Sequence, residues 1–324
     1  MFMIKINEDI PLMGCIAFGI IDRGTNLLQV RATSMCNLNC VFCSTDSGPF
    51  SQYHKNNFIV DLDYLIKETK RIVDFKGVDV EINIDSVGEP LTYPEIIKLV
   101  KRCKNIEGVV KVSMQTNGVL LDLKKIKELK KAGLDVVNLS ISSLDASLAK
   151  ELSGFSKYSV KKIKDVAKEL VDNGIVARLC PVWVPKKNDE QMVEIIKFAK
   201  EIGAELGLQK YEIYKYSRKV GKVKPLNWWK FYDQLKKWEK EYQVKLILGR
   251  HDIGIKKAKR VPEVFKKNEK VQLEVKLAGW FKDQMICVGK NRCVSVLKCE
   301  RKIGDVINVK ILETNNNLYV GEMI

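Results

Sequence analysis

Histidine is nearly missing from this chain: there are two in 324 residues. Long apolar runs are absent too. None approaches the length that spans a bilayer, and the N-terminus lacks a signal-peptide pattern, so the expected class is cytoplasmic, with no membrane association. There is no low-complexity tract and no short-period repeat, which excludes fibrous and solenoid architectures. Negative charge is the scarcer sign: 56 Lys and Arg against 40 Asp and Glu leave a formal net charge of +16.

Cysteine is present in number. Nine cysteines without a secretory context argue for reduced thiols and metal binding, not a disulfide framework. Three of them cluster in Cys36-Asn-Leu-Asn-Cys40-Val-Phe-Cys43, just after the apolar run Leu27 to Val30. Three thiolates this close can hold three irons of a [4Fe–4S] cube and leave the fourth iron open to a small molecule. The alternative is a zinc knuckle, which wants a fourth Cys or His to close a tetrahedron. The nearest histidine is His54, and Ser44 to Ser51 offers no further soft ligand.

Strand-like runs alternate with amphipathic helical stretches along most of the chain. The strands Leu27–Val30, Ile82–Val87, Val109–Gln115, Val136–Ser142, Val176–Val184 and Ala204–Ile213 alternate with helices at Asp61–Phe75, Tyr93–Lys104, Asp122–Ala132, Ser156–Asn173 and Asp189–Ile202. Gly133, Gly174 and Gly203 sit where left-handed helix caps belong. Repeated strand–helix units imply right-handed parallel crossovers in an α/β fold, with chemistry at the carboxyl ends of the strands. Eight units close a barrel; the six expected here make a partial one.

The Cys-x3-Cys-x2-Cys spacing, with Phe42 before the last cysteine, resembles the radical S-adenosylmethionine (SAM) superfamily. Later segments match in order: Gly88-Glu89-Pro90 resembles that family's motif for the SAM amino group, and Thr116-Asn117-Gly118 ends the third strand. Ser140-Ile141-Ser142-Ser143 ends the fourth, and Arg178 lies on the fifth. The resemblance implies a partial (β/α)6 barrel with a [4Fe–4S] cluster on Cys36, Cys40 and Cys43. It also implies SAM held by Gly88, Glu89, Ser142 and Arg178, with Asn117 and Gln209 as neighbouring contacts. A low-potential electron donor such as ferredoxin or flavodoxin would reduce bound SAM to methionine and a 5′-deoxyadenosyl radical. The protein's part is to aim that radical at one C–H bond and exclude water.

Charge points to the substrate. Lys210 to Lys219 mixes cations with aromatics, and Lys222, Lys224, Trp228, Trp229 and Lys230 continue it. Lysines neutralise phosphates and flat aromatic faces stack on unpaired bases. Within the stripe Trp228, Phe231, Tyr232, Leu235 and Trp238, helix-face spacing makes packing the expected role. After Lys270 the runs 271–278, 285–289, 292–297, 306–312 and 318–323 are short and alternating, with turn residues at Gly289-Lys290-Asn291, Gly304-Asp305 and Asn315-Asn316-Asn317. They suggest a small OB-like β-barrel. The stretch Ile303 to Ile311 and Leu318-Tyr319-Val320-Gly321 resembles the TRAM domain of RNA-modifying enzymes. The expected organisation is an extension at 1–26, a radical SAM barrel with trailing elements at 27–249, a basic linker at 250–269 and the TRAM-like barrel at 270–324.

These readings converge on a base of rRNA or tRNA as substrate, and on methylation as the reaction. The short segment ahead of Cys36 carries one cysteine, Cys15, which departs from the methylthiotransferases and leaves no room for a cobalamin-binding unit. Cys180, sharing strand parity with Arg178, and Cys15, before the cluster loop, are the candidate catalytic thiols; a buried, inert role is the alternative. Cys103 reads as core. Cys287, Cys293 and Cys299 either fill the small barrel or hold an auxiliary cluster, which would favour thiolation or methylthiolation. Radical modification of a peptide or a small metabolite is the remaining enzymatic alternative.

Overall fold

The computed structural model of the chain describes residues 2–324. They form two compact units, one of 2–35, Gln52–Lys111 and Lys256–Ile324, the other of Cys36–Ser51 and Val112–Ile255.

The first unit opens with β1 (Phe2–Ile6), β2 (Gly19–Asp22), β3 (Leu27–Arg31) and β4 (Asn56–Val60), followed by α1 (Leu62–Lys76), β5 (Val80–Ile84) and α2 (Ile96–Lys104). β1 runs parallel to β4, β2 antiparallel to β3, and β3 parallel to β5 with Leu27 opposite Glu81. α1 forms because Asp61 caps the Tyr64 N–H and Leu62, Leu65, Thr69, Ile72 and Val73 recur on one buried face. Gly77, at φ 60°, ends it. α2 starts three residues later than the periodicity suggests. Tyr93 is extended because Pro94 follows it and disfavours helical backbone there. β5 likewise stops before Val87, where the Ser86 hydroxyl donates to Thr33 O and accepts from Gly88 N–H.

The second unit begins within β6 (Val109–Thr116) and continues through α3 (Leu123–Lys131), β7 (Val136–Leu139), α4 (Ala146–Ser153), α5 (Val160–Asp172), β8 (Val176–Leu179), β9 (Val182–Trp183), α6 (Asp189–Ile202), β10 (Glu205–Leu206), β11 (Gln209–Lys210) and α7 (Trp228–Tyr242). β6 pairs in parallel with β7, β7 with β8, and β8 with β10. Within this unit the strand order is β10-β8-β7-β6, and within the first it is β5-β3-β2; the repeated parallel strand–helix alternation is that of an α/β partial barrel. Two expected strands are broken. Pro181, which has no N–H, splits 176–184 into β8 and β9, and Gly207 splits 204–213 into β10 and β11. On α7, Phe231, Leu235 and Trp238 are buried while Trp228 and Tyr232 face solvent, so packing takes only part of the aromatic stripe.

The last part of the first unit is β12 (Lys270–Ala278), β13 (Gln284–Gly289), β14 (Arg292–Leu297), β15 (Val306–Glu313) and β16 (Val320–Met323), closed in the order β12-β13-β14-β16-β15. All five expected strands are there. Lys290 and Asn291 both take positive φ, which gives the two-residue β13–β14 hairpin its twist. Leu273, Val275, Val294, Val296, Val309, Ile311 and Tyr319 fill the interior with Cys287 and Cys299. The N-terminal segment is knitted to this barrel: Cys293 N–H donates to Met13 O at 2.8 Å and Tyr319 N–H to Gly14 O at 3.0 Å. Residues 2–26 thus supply two strands and a strap, and 256–269 is held by Ala258 N–H to Gly24 O and by Lys76 Nζ to Lys259 O.

Candidate active site

In the second unit, the cluster loop is a short irregular turn fastened at several points. Asn39 and Val41 donate their N–H groups to Ser153 O and Leu152 O at the end of α4. Gly48, at φ 119°, passes so close to Leu38 that an added Cβ would lie 2.0 Å from its carbonyl oxygen. Cys36, Cys40 and Cys43 are free cysteines, each a half-buried residue. Burial, and then the neighbouring Cys36 and Cys43, push the Cys40 thiol well above its ordinary range, while Arg218 pulls the other way. Among the described residues, no three His, Cys, Asp or Glu side chains converge as donors for a single ion. A [4Fe–4S] cube offers each of three thiolates its own iron, and three neighbouring thiols in a tight loop fit it as a donor set.

Asn117 ties the end of β6 to this loop, its Nδ2 donating to Asn37 Oδ1 at 2.8 Å. The Ser142 hydroxyl accepts from Val182 N–H at 3.2 Å and so also holds β9. Arg178 is engaged on its own sheet: Nε and Nη2 donate to Glu205 Oε2 at 2.9 and 2.6 Å, and Nη1 to Asn138 Oδ1 at 3.1 Å. Contact with a carboxylate ligand would replace or share the Glu205 pair. Arg178 and Cys180 both lie over Gly207, as their shared parity suggests. Cys180 is buried, and burial pushes its thiol up to about 12. Gln209 is an exposed residue of β11.

In the first unit, Gly88 and Glu89 lie against Met35, the residue before Cys36. Glu89 N–H donates to Met35 O at 2.6 Å. A Cβ on Gly88 would stand 2.1 Å from the same oxygen, so only glycine fits. Glu89 is buried, and its Oε1 accepts from Leu91 N–H at 2.9 Å. Asp85 takes a two-pronged pair from Arg31 at 3.0 and 2.9 Å and a third bond from Gln29 at 2.6 Å, a network with no sequence signature. Cys15 is buried near Cys293, and burial raises it to about 11. Cys103 is buried, as expected of a core residue. Cys287 and Cys299 belong to the apolar interior of the barrel, and the Cys293 thiol donates to Pro11 O at 3.1 Å.

Arg218 was legible in the sequence only as one cation in a basic run. The structure turns it onto the cluster loop, its Nη1 donating to Cys40 O at 3.1 Å and its Nε to Asp46 Oδ1 at 2.7 Å. Residues 30–199 match the model of the Radical SAM superfamily. The chain belongs to the radical SAM superfamily. This radical SAM protein is 40% identical to uncharacterized protein MJ0103 of Methanocaldococcus jannaschii, over 99% of this chain and 80% of that one. It is 33% identical to a probable GTP 3′,8-cyclase of Sulfurisphaera tokodaii, over 55% of this chain and 53% of that one. Its fold is similar to that of Streptococcus suis SuiB bound to S-adenosylmethionine, with a TM-score of 0.52 and 22% identity, covering 69% of this chain and 49% of SuiB. The chain thus spans only about half of the cyclase and of SuiB. Family membership implies a [4Fe–4S] cluster and SAM as cofactors.

Proposed function

We propose that this radical SAM enzyme acts on a nucleobase-bearing anion, a base of tRNA or rRNA first among them, by abstracting hydrogen from one C–H bond. Cluster and SAM, when bound, supply the 5′-deoxyadenosyl radical, with the electron coming from a carrier of the ferredoxin or flavodoxin kind. Cys36, Cys40 and Cys43 would hold the cluster, and Gly88 and Glu89 the SAM amino group. Asn117, Ser142, Arg178 and Gln209 are the further SAM contacts we propose.

The observation that carries the substrate is the stretch from Tyr214 to Tyr232. It contains Lys215, Arg218, Lys219, Lys222, Lys224 and Lys230 and no acidic residue. Tyr214, Trp228 and Trp229 are exposed to 58%, 54% and 73%. Exposed rings beside lysines suit stacking on bases with charge neutralisation along a backbone. The barrel adds less to this reading than its TRAM-like sequence suggests. The face that such barrels offer to oligonucleotides lies on the second and third strands and the loop before them. Here β14 is bonded to the N-terminal strap, and Trp280 and Phe281 of that loop pack on His54, with Trp280 at 3.7 Å between ring centroids.

Methylation through a cysteine relay is not part of the proposal. Burial raises Cys15 to about 11 and Cys180 to about 12, so a relay through either would first have to activate a protonated thiol. Thiolation from an auxiliary cluster is not carried forward either, since Cys287 and Cys299 sit in an apolar interior. A free nucleotide is the second reading, favoured by the similarity to a probable GTP 3′,8-cyclase and by the covered barrel face.

The test is anaerobic incubation with SAM, dithionite and either total tRNA and rRNA or single nucleoside triphosphates, with 5′-deoxyadenosine measured by mass spectrometry. RNA-stimulated 5′-deoxyadenosine together with a mass change in one nucleoside is the expected result. Stimulation by a triphosphate alone would establish the second reading. Stimulation by neither would overturn both.

A further inference from the structure

We infer that Arg218 is a positioning residue for the iron–sulfur cluster, a clasp that sets the shape of the cysteine loop and thereby the retention and potential of the cluster. Five donors' worth of hydrogen bonding converge from this one residue. Its N–H donates to Cys43 O at 2.9 Å, Nη1 to Cys40 O at 3.1 Å, and Nη2 to Asp46 O at 3.2 Å and Ser47 O at 2.8 Å. Nε donates to Asp46 Oδ1 at 2.7 Å, and both side chains are largely withdrawn from solvent, at 15% and 2% exposure. Ser217 beside it donates to Ser44 O at 3.0 Å. Two of the three cluster cysteines therefore have their carbonyls fixed by one residue from a segment far along the chain.

The loop needs such a clasp. It has no regular secondary structure between Cys36 and Ser51, so its carbonyls lack ladder partners. Asp46 takes a positive φ of 55°, a conformation a non-glycine residue keeps only when its surroundings hold it there. The Arg218 fork and the Ser51 hydroxyl, donating to Asp46 Oδ2 at 2.9 Å, do so. A planar guanidinium reaches three carbonyls and a carboxylate at once; a lysine ammonium keeps the charge and loses that span. With Nη1 on the Cys40 carbonyl, the guanidinium would bring positive charge near a bound cluster, which favours the reduced form.

The test compares wild type with Arg218→Lys, Arg218→Gln and Asp46→Asn after anaerobic reconstitution with iron and sulfide. It reads iron content, the rate of iron loss to a chelator, and the cluster potential by redox titration followed by electron paramagnetic resonance. None of these depends on a substrate, so failure here is distinct from failure of the proposed function. Both Arg218 variants are expected to lose iron about tenfold faster, the scale of losing a partner behind the ligands. Arg218→Gln should also shift the potential to more negative values, and Arg218→Lys should hold it closer to wild type. Circular dichroism of the unloaded variants reports folding. If the Arg218 variants do not fold, Asp46→Asn decides, with faster iron loss and a less negative potential expected. Wild-type iron loss and potential in every variant that folds would overturn the inference.

Discussion

Gly88 has room for a hydrogen and nothing larger. Its missing Cβ would lie 2.1 Å from Met35 O, a backbone atom that cannot swing aside. Gly88→Ala is expected to destabilise the protein by about 1–3 kcal/mol through overpacking, and to weaken SAM binding more than it lowers the melting temperature would explain. Thermal melts and equilibrium dialysis of SAM check the two effects. Glycine and glutamate at 88 and 89 were legible in the sequence because the motif is a backbone requirement written in one residue type. Arg218 was not. Its partners are carbonyls more than 170 positions away, and a cation gives no local sign of which acceptors it will find. Arg178 was legible as a position on a strand, but its pairing with Glu205 arises from the β8–β10 register, which a single sequence does not state. The buried thiols carry a pH consequence. Burial raises Cys103 and Cys180 to about 12 from an ordinary value of 9.0. Below pH 9 the thiols are protonated whether the chain is folded or not. Above it the unfolded chain releases protons that the folded chain retains, so this contribution to stability is lost from about pH 9 up to about 12. Denaturant titrations at several alkaline pH values should show a steeper decline for wild type than for Cys103→Ala.

Among the elements, the helices with clear caps were the most legible. Asp61 and Asp122 each accept from an N–H three residues on, and Gly203 closes α6 at φ 70°; α5 starts only at Val160 behind its cap Ser159, later than the expected start at Ser156. α4 was missed because its eight residues give too little periodicity to stand out from the loop before it. The breaks at Pro181 and Gly207 were visible as residues but not as breaks, since the apolar runs continue across both. α1 carries a feature that amphipathic patterning cannot express: Lys76, in its last turn, is fully buried with Asp22 at 2.8 Å. Lys76 Nζ also donates to Thr25 O and Lys259 O, while Asp22 Oδ2 accepts from Val261 N–H, so the pair joins α1, β2 and the basic segment before the barrel. Lys76→Met leaves the Asp22 carboxylate buried without its cation, and a loss of about 3–5 kcal/mol is expected in chemical denaturation. Replacing both partners by apolar residues should recover much of it, which a double-mutant cycle measures.

On the scale of the whole molecule, excess positive charge and a small β-barrel pointed to RNA together, and the two features carry unequal weight. The barrel closes as the alternating pattern indicates, yet one strand holds the strap through Met13 and Gly14. That packing was beyond sequence reasoning, because the strap is a short irregular segment with no periodicity. In the function proposed above, the exposed rings between Tyr214 and Tyr232 are the surface that would take bases. Trp229→Ala is accordingly expected to weaken RNA binding by about 1–3 kcal/mol, the worth of one stacked base, with little change in melting temperature. Fluorescence anisotropy at several salt concentrations checks this, and the salt slope should stay near wild type because no cation is removed. Among the described residues no helix is long and apolar enough to cross a membrane. The central claim, however, lies in the loop of Cys36, Cys40 and Cys43. The most direct measurement is 5′-deoxyadenosine and methionine formed from SAM under dithionite by the reconstituted wild type, beside Cys40→Ser prepared identically. The account predicts about four irons per chain and equimolar products from wild type, with product lost in Cys40→Ser. A wild-type protein that carries its irons and leaves SAM intact would contradict it.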